Sequence, residues 1–174
     1  MRILGIDPGS ESTGYGIIES DGSIHTAIAY GAIRTQSRQP FHERLLRIHA
    51  GLRELLAREK VDVVAIEGVF HAANVQSALK LGHARGVALL AAAESGVPVF
   101  EYSPLEIKSG IVGYGRAEKS QVQEMVRFLL RLEEIPSPDD AADALAVAIC
   151  HSHRSSTGTT PRTRRRSRRR SDYR

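Results

Sequence analysis

The stretch Arg2-Ile-Leu-Gly-Ile-Asp-Pro-Gly-Ser-Glu-Ser-Thr-Gly-Tyr-Gly16 decides the fold that we expect for this chain. Its apolar run predicts a buried strand that ends in the carboxylate of Asp7, and Pro8-Gly9 then predicts a turn into a second strand. Ligands of open sheets gather at the carboxyl ends of strands, so Asp7 is a candidate metal or phosphate ligand. Asp-Pro-Gly is also an ordinary turn sequence, and this stretch alone leaves both interpretations open.

Hydrophobic periodicity and turn residues predict the remaining elements. Strands are expected at residues 2–7, 13–19, 24–35, 61–66 and 97–102, and helices at 40–60, 74–95, 104–112, 117–132 and from 138 to about 151. Ser137 is the expected N-cap of the last helix, with Pro138 in its first turn. In helix 40–60 the apolar residues repeat at 3-4-3 spacing, and the charged residues, including Arg44 and Arg47, are expected to face solvent.

The order of these elements predicts an α/β fold. Short turns join the first three strands, which indicates an antiparallel meander, and Gly14 and Gly16 in the second strand allow close backbone approach. The fourth and fifth strands each follow a helix, so they should add to the meander in parallel. We therefore expect a ribonuclease H-like five-stranded mixed β-sheet with helices on both faces.

Charge is distributed unevenly along the 174 residues. The net charge is +4, but residues 154–174 hold nine Arg and one Asp, whereas residues 1–153 hold 15 basic and 19 acidic residues. We expect one ribonuclease H-like domain over residues 1–153 and a disordered Arg/Ser-rich tail over 154–174. The tail could attract nucleic-acid phosphate or serve only as a solubilising extension, and composition does not separate these two roles.

The cellular setting is predicted from what the chain lacks. Cys150 is the single cysteine, so an internal disulfide cannot form and a reducing compartment is expected. No apolar run approaches the ~20 residues of a membrane span, and the N-terminus does not resemble a signal peptide. These features predict a cytoplasmic protein with no membrane partner.

Four carboxylates are predicted to lie on rigid elements. Asp7 and Glu67 each end a buried strand, and Asp140 and Asp143 share one face of the last helix at i, i+3 spacing. The helix dipole alone explains acids in the first turn, but Asp143 lies among small apolar residues with no basic residue within a turn. Converging carboxylates without cysteine ligands favour Mg²⁺ or Mn²⁺. Two such ions can hold the attacking water and the leaving oxygen of a phosphodiester.

Six segments, in the right order, resemble a known family. They are Gly5-Ile-Asp-Pro-Gly-Ser10, Thr13-Gly-Tyr-Gly16, Ala65-Ile-Glu67 with Phe70 and Asn74, Ser77-Ala-Leu-Lys-Leu-Gly82 with Ala84-Arg-Gly86, Ala117-Glu-Lys-Ser-Gln-Val122 and Asp140-Ala-Ala-Asp-Ala-Leu145. They are similar to the RuvC family of bacterial Holliday junction endonucleases, and the resemblance covers essentially residues 1–153. It implies that Asp7, Glu67, Asp140 and Asp143 are the catalytic acids and bind two Mg²⁺ ions per subunit, for which Mn²⁺ can substitute.

The resemblance also implies how such a protein acts. A homodimer would bind four-way junction DNA and nick two strands of like polarity symmetrically, in recombination and DNA repair. The products would carry 5′-phosphate and 3′-hydroxyl ends that ligase can seal. The family works with the RuvA–RuvB branch-migration complex.

Six residues are expected to contact DNA: Phe70, Lys80, Arg85, Lys108, Arg116 and Lys119. Lys108 and Lys119 flank a glycine-containing loop, and the matching lysines of RuvC-like proteins contact the scissile region. Phe70 could stack on an unpaired base or pack in the core. Lys80 and Arg85 could meet phosphates or a partner subunit, and Arg116 is a weaker candidate.

Three other functions share parts of these patterns. Sugar kinases and actin-like ATPases begin with a similar strand, Asp and glycine hairpin, but they need a duplicated domain for which this chain is too short. A non-catalytic junction-binding module is expected to lack one or more of the acids. A ribonuclease H-like nuclease acting on RNA is disfavoured by the segment around Lys119 and by the long helix of small residues at 74–95.

Overall fold

The computed structural model describes residues 1–68 and 74–158, which contain five strands and five helices. The strands are β1 (Arg2–Asp7), β2 (Ser12–Ser20), β3 (His25–Arg34), β4 (Val63–Glu67) and β5 (Val99–Tyr102). The helices are α1 (Phe41–Glu59), α2 (Val75–Glu94), α3 (Pro104–Val112), α4 (Lys119–Leu129) and α5 (Asp139–Ser156). None of these helices is long and apolar enough to cross a membrane.

The strands form one mixed sheet in the order β3-β2-β1-β4-β5. The pairs β1–β2 and β2–β3 are antiparallel, whereas β1–β4 and β4–β5 are parallel. The predicted meander with two parallel additions is therefore confirmed. The central strand β1 and its neighbour β4 run in the same direction and end at the same edge of the sheet.

Side-chain alternation along the central strands gives the sheet two buried faces. Ile3 and Val63 face a core built with α3, α4 and α5. Leu4 and Val64 face the opposite core, which is built with α1 and α2. The prediction of helices on both faces is confirmed, and the run of apolar residues in β4 is explained by burial on both sides.

Helix α5 lies unusually close to the sheet because glycines line the strands beneath it. A Cβ atom at Gly5 would fall 2.0 Å from the carbonyl oxygen of Ala144, and one at Gly14 would fall 2.0 Å from that of Asp140. No side chain fits into such a gap, so only glycine permits this contact. The predicted close approach at Gly14 is confirmed, and it sets the position of the helix that carries two of the four acids.

The predicted ends of α5 are wrong in two respects. The N-cap is Pro138 and not Ser137, because Pro138 is still extended (φ −71°, ψ 172°) and its carbonyl accepts a hydrogen bond from the Ala141 amide at 2.8 Å. The helix also continues to Ser156, so the first residues assigned to the tail at 154 are helical. Hydroxyl groups in this last turn bond to helix carbonyls, Ser156 Oγ to Ser152 O at 2.9 Å among them. The tail from residue 159 onward lies outside the described residues.

Candidate active site

Strand register places Asp7 and Glu67 side by side. Ile6 of β1 pairs with Ile66 of β4, so each acid follows the last paired residue of its strand. Leu4 and Val64 face α1 and α2. Asp7 and Glu67 lie three residues further along the same strands, and because side chains alternate between the two faces, both acids belong to the face that α5 covers.

Helix α5 brings the other two acids to the same place. Asp7 pairs with Gly14 across β1 and β2, and Gly14 lies directly beneath the backbone of Asp140. Asp140 and Asp143 are close enough to Asp7 for their charges to raise its pKa. The structure thus brings together the four acids that the sequence singled out, from two strands and one helix.

Mutual repulsion and burial perturb the protonation of this cluster. Burial, the charges of Glu67, Asp143 and Asp140, and a hydrogen bond with Glu67 together raise the pKa of Asp7 to about 8. Burial also raises the pKa of Glu67, although the hydrogen bond from Asp7 and the charges of two lysines oppose it. A carboxyl group at Asp7 therefore stays largely protonated near neutral pH unless a cation offsets the neighbouring charges.

Asp143 has a basic partner that the sequence interpretation did not anticipate. Nζ of Lys119, the first residue of α4, lies 2.9 Å from Oδ2 of Asp143 and 3.5 Å from Oδ2 of Asp139. Burial alone would lower the pKa of Lys119, but these two acids raise it above its ordinary value. The pKa of Asp143 is nonetheless raised, because burial outweighs the stabilising effect of Lys119.

The structure distinguishes the two adjacent acids at the start of α5. The Asp139 side chain is 73% exposed. Oδ2 of Asp140, in contrast, accepts a hydrogen bond of 2.6 Å from the Ser12 hydroxyl of β2. Asp140 is therefore held against the sheet beside Asp7, whereas Asp139 faces solvent.

An open cleft leads to the acids. Its volume is about 710 Å³, and its lining includes Asp7, Glu67, Leu81, Leu105 and Lys108. A smaller adjoining cavity of about 230 Å³ is lined by Glu67, Lys108, Lys119 and Asp143 among others. The two lysines flank the acid cluster, and both charges act on Glu67. The surface beside the carboxylates is therefore mixed in charge and partly apolar, which suits a nucleotide.

The other predicted DNA contacts are less closely tied to the acids. Lys80 is exposed on α2, and Arg116 is exposed in the loop before α4. Arg85 of α2 forms an ion pair with Glu101 of β5, which accounts for its position without a phosphate. Phe70 lies outside the described residues. As DNA contacts, all six residues remain predictions.

The donor set fits hard divalent cations in its chemistry. It consists of four carboxylates, and oxygen ligands of this kind are those that Mg²⁺ and Mn²⁺ prefer. Within residues 1–68 and 74–158, no three Asp, Glu, His or Cys side chains are yet arranged around a single metal position. Asp143 instead lies against Lys119, and Asp140 accepts a hydrogen bond from Ser12. A divalent ion at Asp143 would have to displace the Lys119 ammonium group.

Arg44 contradicts the prediction that the charges of helix 40–60 face solvent. It is only 5% exposed, and its Nη2 donates to the carbonyl oxygen of Ser10 at 2.6 Å. The signal was present in the sequence, since Arg44 precedes Ile48 and Leu52 at four-residue spacing and so lies on the buried stripe of α1. Its charge is tolerated there because carbonyl and hydroxyl oxygens accept hydrogen bonds from the guanidinium group.

The fold and the site together define a ribonuclease H-like nuclease, with acids at the ends of two adjacent parallel strands and on a helix packed across them. The family model described as crossover junction endodeoxyribonuclease RuvC matches residues 3–151. The chain belongs to the RuvC family and is an endodeoxyribonuclease. Nucleases of this family use divalent metal ions.

Curated relatives and solved structures agree with this assignment. The RuvC protein of Citrifermentans bemidjiense is 56% identical over 153 residues, which cover 88% of this chain and 93% of the relative. The protein of Desulforamulus reducens is 52% identical over 157 residues, covering 90% and 96%. The solved structure of T. thermophilus RuvC in complex with a Holliday junction substrate superposes with a TM-score of 0.85 at 36% identity, covering 92% of this chain and 98% of that one. A yeast mitochondrial Holliday junction resolvase shares the fold alone, at 16% identity and a TM-score of 0.63.

Proposed function

We propose that this chain resolves four-way DNA junctions by symmetric, divalent-metal-dependent nicking of two strands of like polarity. The products carry 5′-phosphate and 3′-hydroxyl ends, and the reaction serves recombination and repair in the cytoplasm. One observation carries the proposal: Asp7, Glu67, Asp140 and Asp143 lie in one charged cluster, flanked by Lys108 and Lys119. Family membership and the junction bound to the T. thermophilus relative support the choice of substrate.

The four acids would hold two Mg²⁺ ions per subunit, with Mn²⁺ as a substitute. When bound, such ions supply Lewis acidity for the attacking water and positive charge for the departing 3′-oxygen. The protein contributes the placement of the ligands. Asp7 and Glu67 are held by paired strands, and Asp140 and Asp143 by a helix in backbone contact with the sheet. Rigid elements of this kind keep carboxylates close together despite their repulsion.

The lysines would act on the scissile phosphate. Lys119 Nζ is 2.9 Å from Asp143, and its side chain is 54% exposed, so it can turn toward a phosphate at the mouth of the cleft. Lys108 lines the same cleft beside Glu67. Their charges would offset the negative charge on the phosphate oxygens, which otherwise repels the four carboxylates. Leu81 and Leu105 offer apolar surface to the base or sugar of a neighbouring nucleotide.

A homodimer would place two such sites on one junction, which offers two equivalent cleavage points. The face of α2 turned away from the sheet supports this assembly, because Val75, Leu79 and Leu90 are exposed apolar residues. Leu79 and Leu90 border an open apolar groove of about 470 Å³, where Gly82 and Gly86 leave the helix backbone accessible. Exposed apolar patches on soluble proteins commonly mark interfaces. The RuvA–RuvB complex is the proposed partner in branch migration.

Cleavage of end-labelled synthetic DNA tests this function. A four-way junction, a linear duplex and an RNA–DNA hybrid are incubated with Mg²⁺, Mn²⁺ or a chelator. We expect paired, symmetric nicks in the junction alone, which ligase can seal and the chelator abolishes. Junction binding without nicks under any metal would instead assign the chain to a binding module, and cutting of the hybrid would assign it to a ribonuclease.

A further inference from the structure

We propose that Arg44 is a positioning residue of the nuclease site, which holds the segment Ser10–Ser12 and, through Ser12, the carboxylate of Asp140. The proposal rests on the proposed function, since it takes Asp7 and Asp140 as metal ligands. The segment Ser10–Ser12 begins three residues after Asp7 and leads into β2. This segment therefore connects Asp7 to Ser12, whose hydroxyl group bonds to Asp140.

The guanidinium group of Arg44 forms hydrogen bonds with the first residue of this segment, Ser10. Nη2 and Nε donate to the carbonyl oxygen of Ser10 at 2.6 and 3.1 Å, and Nε is also 3.2 Å from Thr35 Oγ1. The Thr35 hydroxyl donates to the same Ser10 carbonyl at 2.9 Å, and the Thr35 amide donates to Glu11 O at 2.9 Å. Helix α1 and the end of β3 thus fix the segment from one side.

The other contacts of the segment lead to the acids. The Ser12 hydroxyl donates to Oδ2 of Asp140 at 2.6 Å. The Thr13 hydroxyl donates to the carbonyl oxygen of Gly9 at 2.8 Å, which closes the turn that follows Asp7. Any displacement of Ser10–Ser12 therefore changes both the turn after Asp7 and the partner of Asp140. Hydrogen bonds that orient ligating carboxylates commonly change metal affinity 10- to 100-fold when they are removed.

Burial of Arg44 is difficult to explain by stability alone. Its nearest carboxylate, Oε1 of the exposed Glu11, is 3.8 Å from Nη2, so carbonyl and hydroxyl oxygens are its main partners. Burying a guanidinium group with mostly neutral partners is unfavourable compared with an apolar residue of similar volume. Ile48, Leu52 and Leu55 already anchor α1 to the sheet. Arg44 adds directional hydrogen bonds, which fix the position of the segment Ser10–Ser12 beside the acids.

The exposed Arg53 offers a matched control on the same helix. Its side chain is 62% exposed, and its Nε lies 3.5 Å from Oε2 of Glu94 at the end of α2. Arg47 is less suitable, because its Nε donates to the carbonyl oxygen of Arg34, which pairs with Ser12 in the sheet. Arg53→Met therefore removes an arginine contact from α1 and leaves the support of Asp140 intact.

Mn²⁺ binding to the full chain, followed by electron paramagnetic resonance without DNA, tests the proposal. We expect Arg44→Met and Ser12→Ala each to weaken Mn²⁺ affinity by about 10-fold or more, and their combination to weaken it little further, because both act on Asp140. Arg44→Lys should restore part of the affinity, since a lysine can reach one acceptor but lacks the planar fork. Arg53→Met should bind Mn²⁺ as the unaltered protein does. In junction cleavage, kcat should fall for the first two variants while KM changes less than about twofold.

The outcomes separate this proposal from the function on which it rests. Unchanged Mn²⁺ affinity in folded Arg44→Met and Ser12→Ala, with affinity lost in Asp7→Asn, would overturn the positioning role alone. Unchanged affinity in Asp7→Asn as well would overturn the proposed metal site. If Arg44→Met does not fold, Arg44→Lys and Ser12→Ala decide, and normal Mn²⁺ binding by both would overturn the proposal.

Discussion

Lys119 Nζ lies 2.9 Å from Oδ2 of Asp143, although the two residues belong to different helices. The ammonium group neutralises a half-buried acid whose pKa burial would raise still further without it. This contact places a cation where a metal ligand is proposed. In the proposed function, Lys119 would therefore compete with a metal for Asp143 and, once released, would be positioned for a phosphate.

Lys119→Met should separate these two roles. Removing the ammonium group leaves Asp143 without its partner, so we expect Mg²⁺ to bind as tightly as before or more tightly. Cleavage of the junction should fall about 100-fold, the usual scale for losing one group that stabilises transition-state charge. Isothermal titration with Mg²⁺ and single-turnover cleavage measure the two effects. Weaker Mg²⁺ binding would show that Lys119 supports the metal site and does not compete with it.

Asp7→Asn should abolish cleavage and leave junction binding intact, because it removes a proposed metal ligand without touching the lysines. The variant should also unfold at a higher temperature than the unaltered chain in metal-free buffer at pH 8, since one of the repelling carboxylates is gone. Gel-shift titration in chelator and thermal unfolding measure these two quantities. Loss of junction binding, or a lower unfolding temperature, would assign Asp7 a structural role.

Gly14→Ala should displace α5 and lower stability by about 3 kcal/mol, at the upper end of overpacking effects. The added Cβ would lie 2.0 Å from the Asp140 carbonyl oxygen, where neither backbone can move without breaking the sheet or the helix. Gly82→Ala is the control, because a Cβ there meets nothing within 4 Å and alanine favours the helix. Urea unfolding at matched protein concentration gives both values. Equal stability of the two variants would contradict the proposed contact between α5 and β2.

His151 should make stability depend on pH between about 4 and 6.5. It is 2% exposed, its Nδ1 lies 2.7 Å from the Tyr102 hydroxyl, and burial lowers its pKa from 6.5 to about 4. Above pH 6.5 the imidazole is neutral in both states. Below pH 6.5 the imidazole of the unfolded chain takes up a proton before that of the folded protein does. The free energy of unfolding therefore decreases as the pH falls toward 4, by at most about 3 kcal/mol.

His151→Asn isolates this effect from that of the acids. The difference in unfolding free energy between the unaltered chain and the variant should shrink as the pH falls from 7 to 4.5, because asparagine does not titrate. Denaturant unfolding at a series of pH values measures the difference. A difference independent of pH would mean that His151 is not held neutral in the folded state.

Leu79→Asp should break the proposed dimer. Leu79 is 59% exposed and borders the apolar groove on α2, and a charge there would have to be buried between the subunits of the proposed dimer. Phe128 is 72% exposed on α4, and Phe128→Asp serves as a matched control. Light scattering should find monomers for Leu79→Asp and dimers for the control, and only the former should lose paired nicking. Two dimeric variants would place the interface elsewhere.

The sequence predicted the parts of the site that depend on local patterns. Asp7 and Glu67 were identifiable because an apolar run that ends in an acid is visible within six residues. Asp143 was identifiable because a charge among alanines needs a partner. The partner itself, Lys119, was not found, because only tertiary packing brings the start of α4 against α5. Arg44 was assigned to solvent because its charge outweighed its position on the apolar stripe.

Anomalous diffraction from crystals soaked in Mn²⁺ shows whether Asp7, Glu67, Asp140 and Asp143 hold divalent metal. We expect Mn²⁺ peaks between Asp7 and the other three carboxylates, with Lys119 moved away from Asp143, and no peak there in crystals of Asp7→Asn. Mn²⁺ bound elsewhere on the chain, or this cluster empty in crystals that cleave a soaked junction, would contradict the proposed metal site.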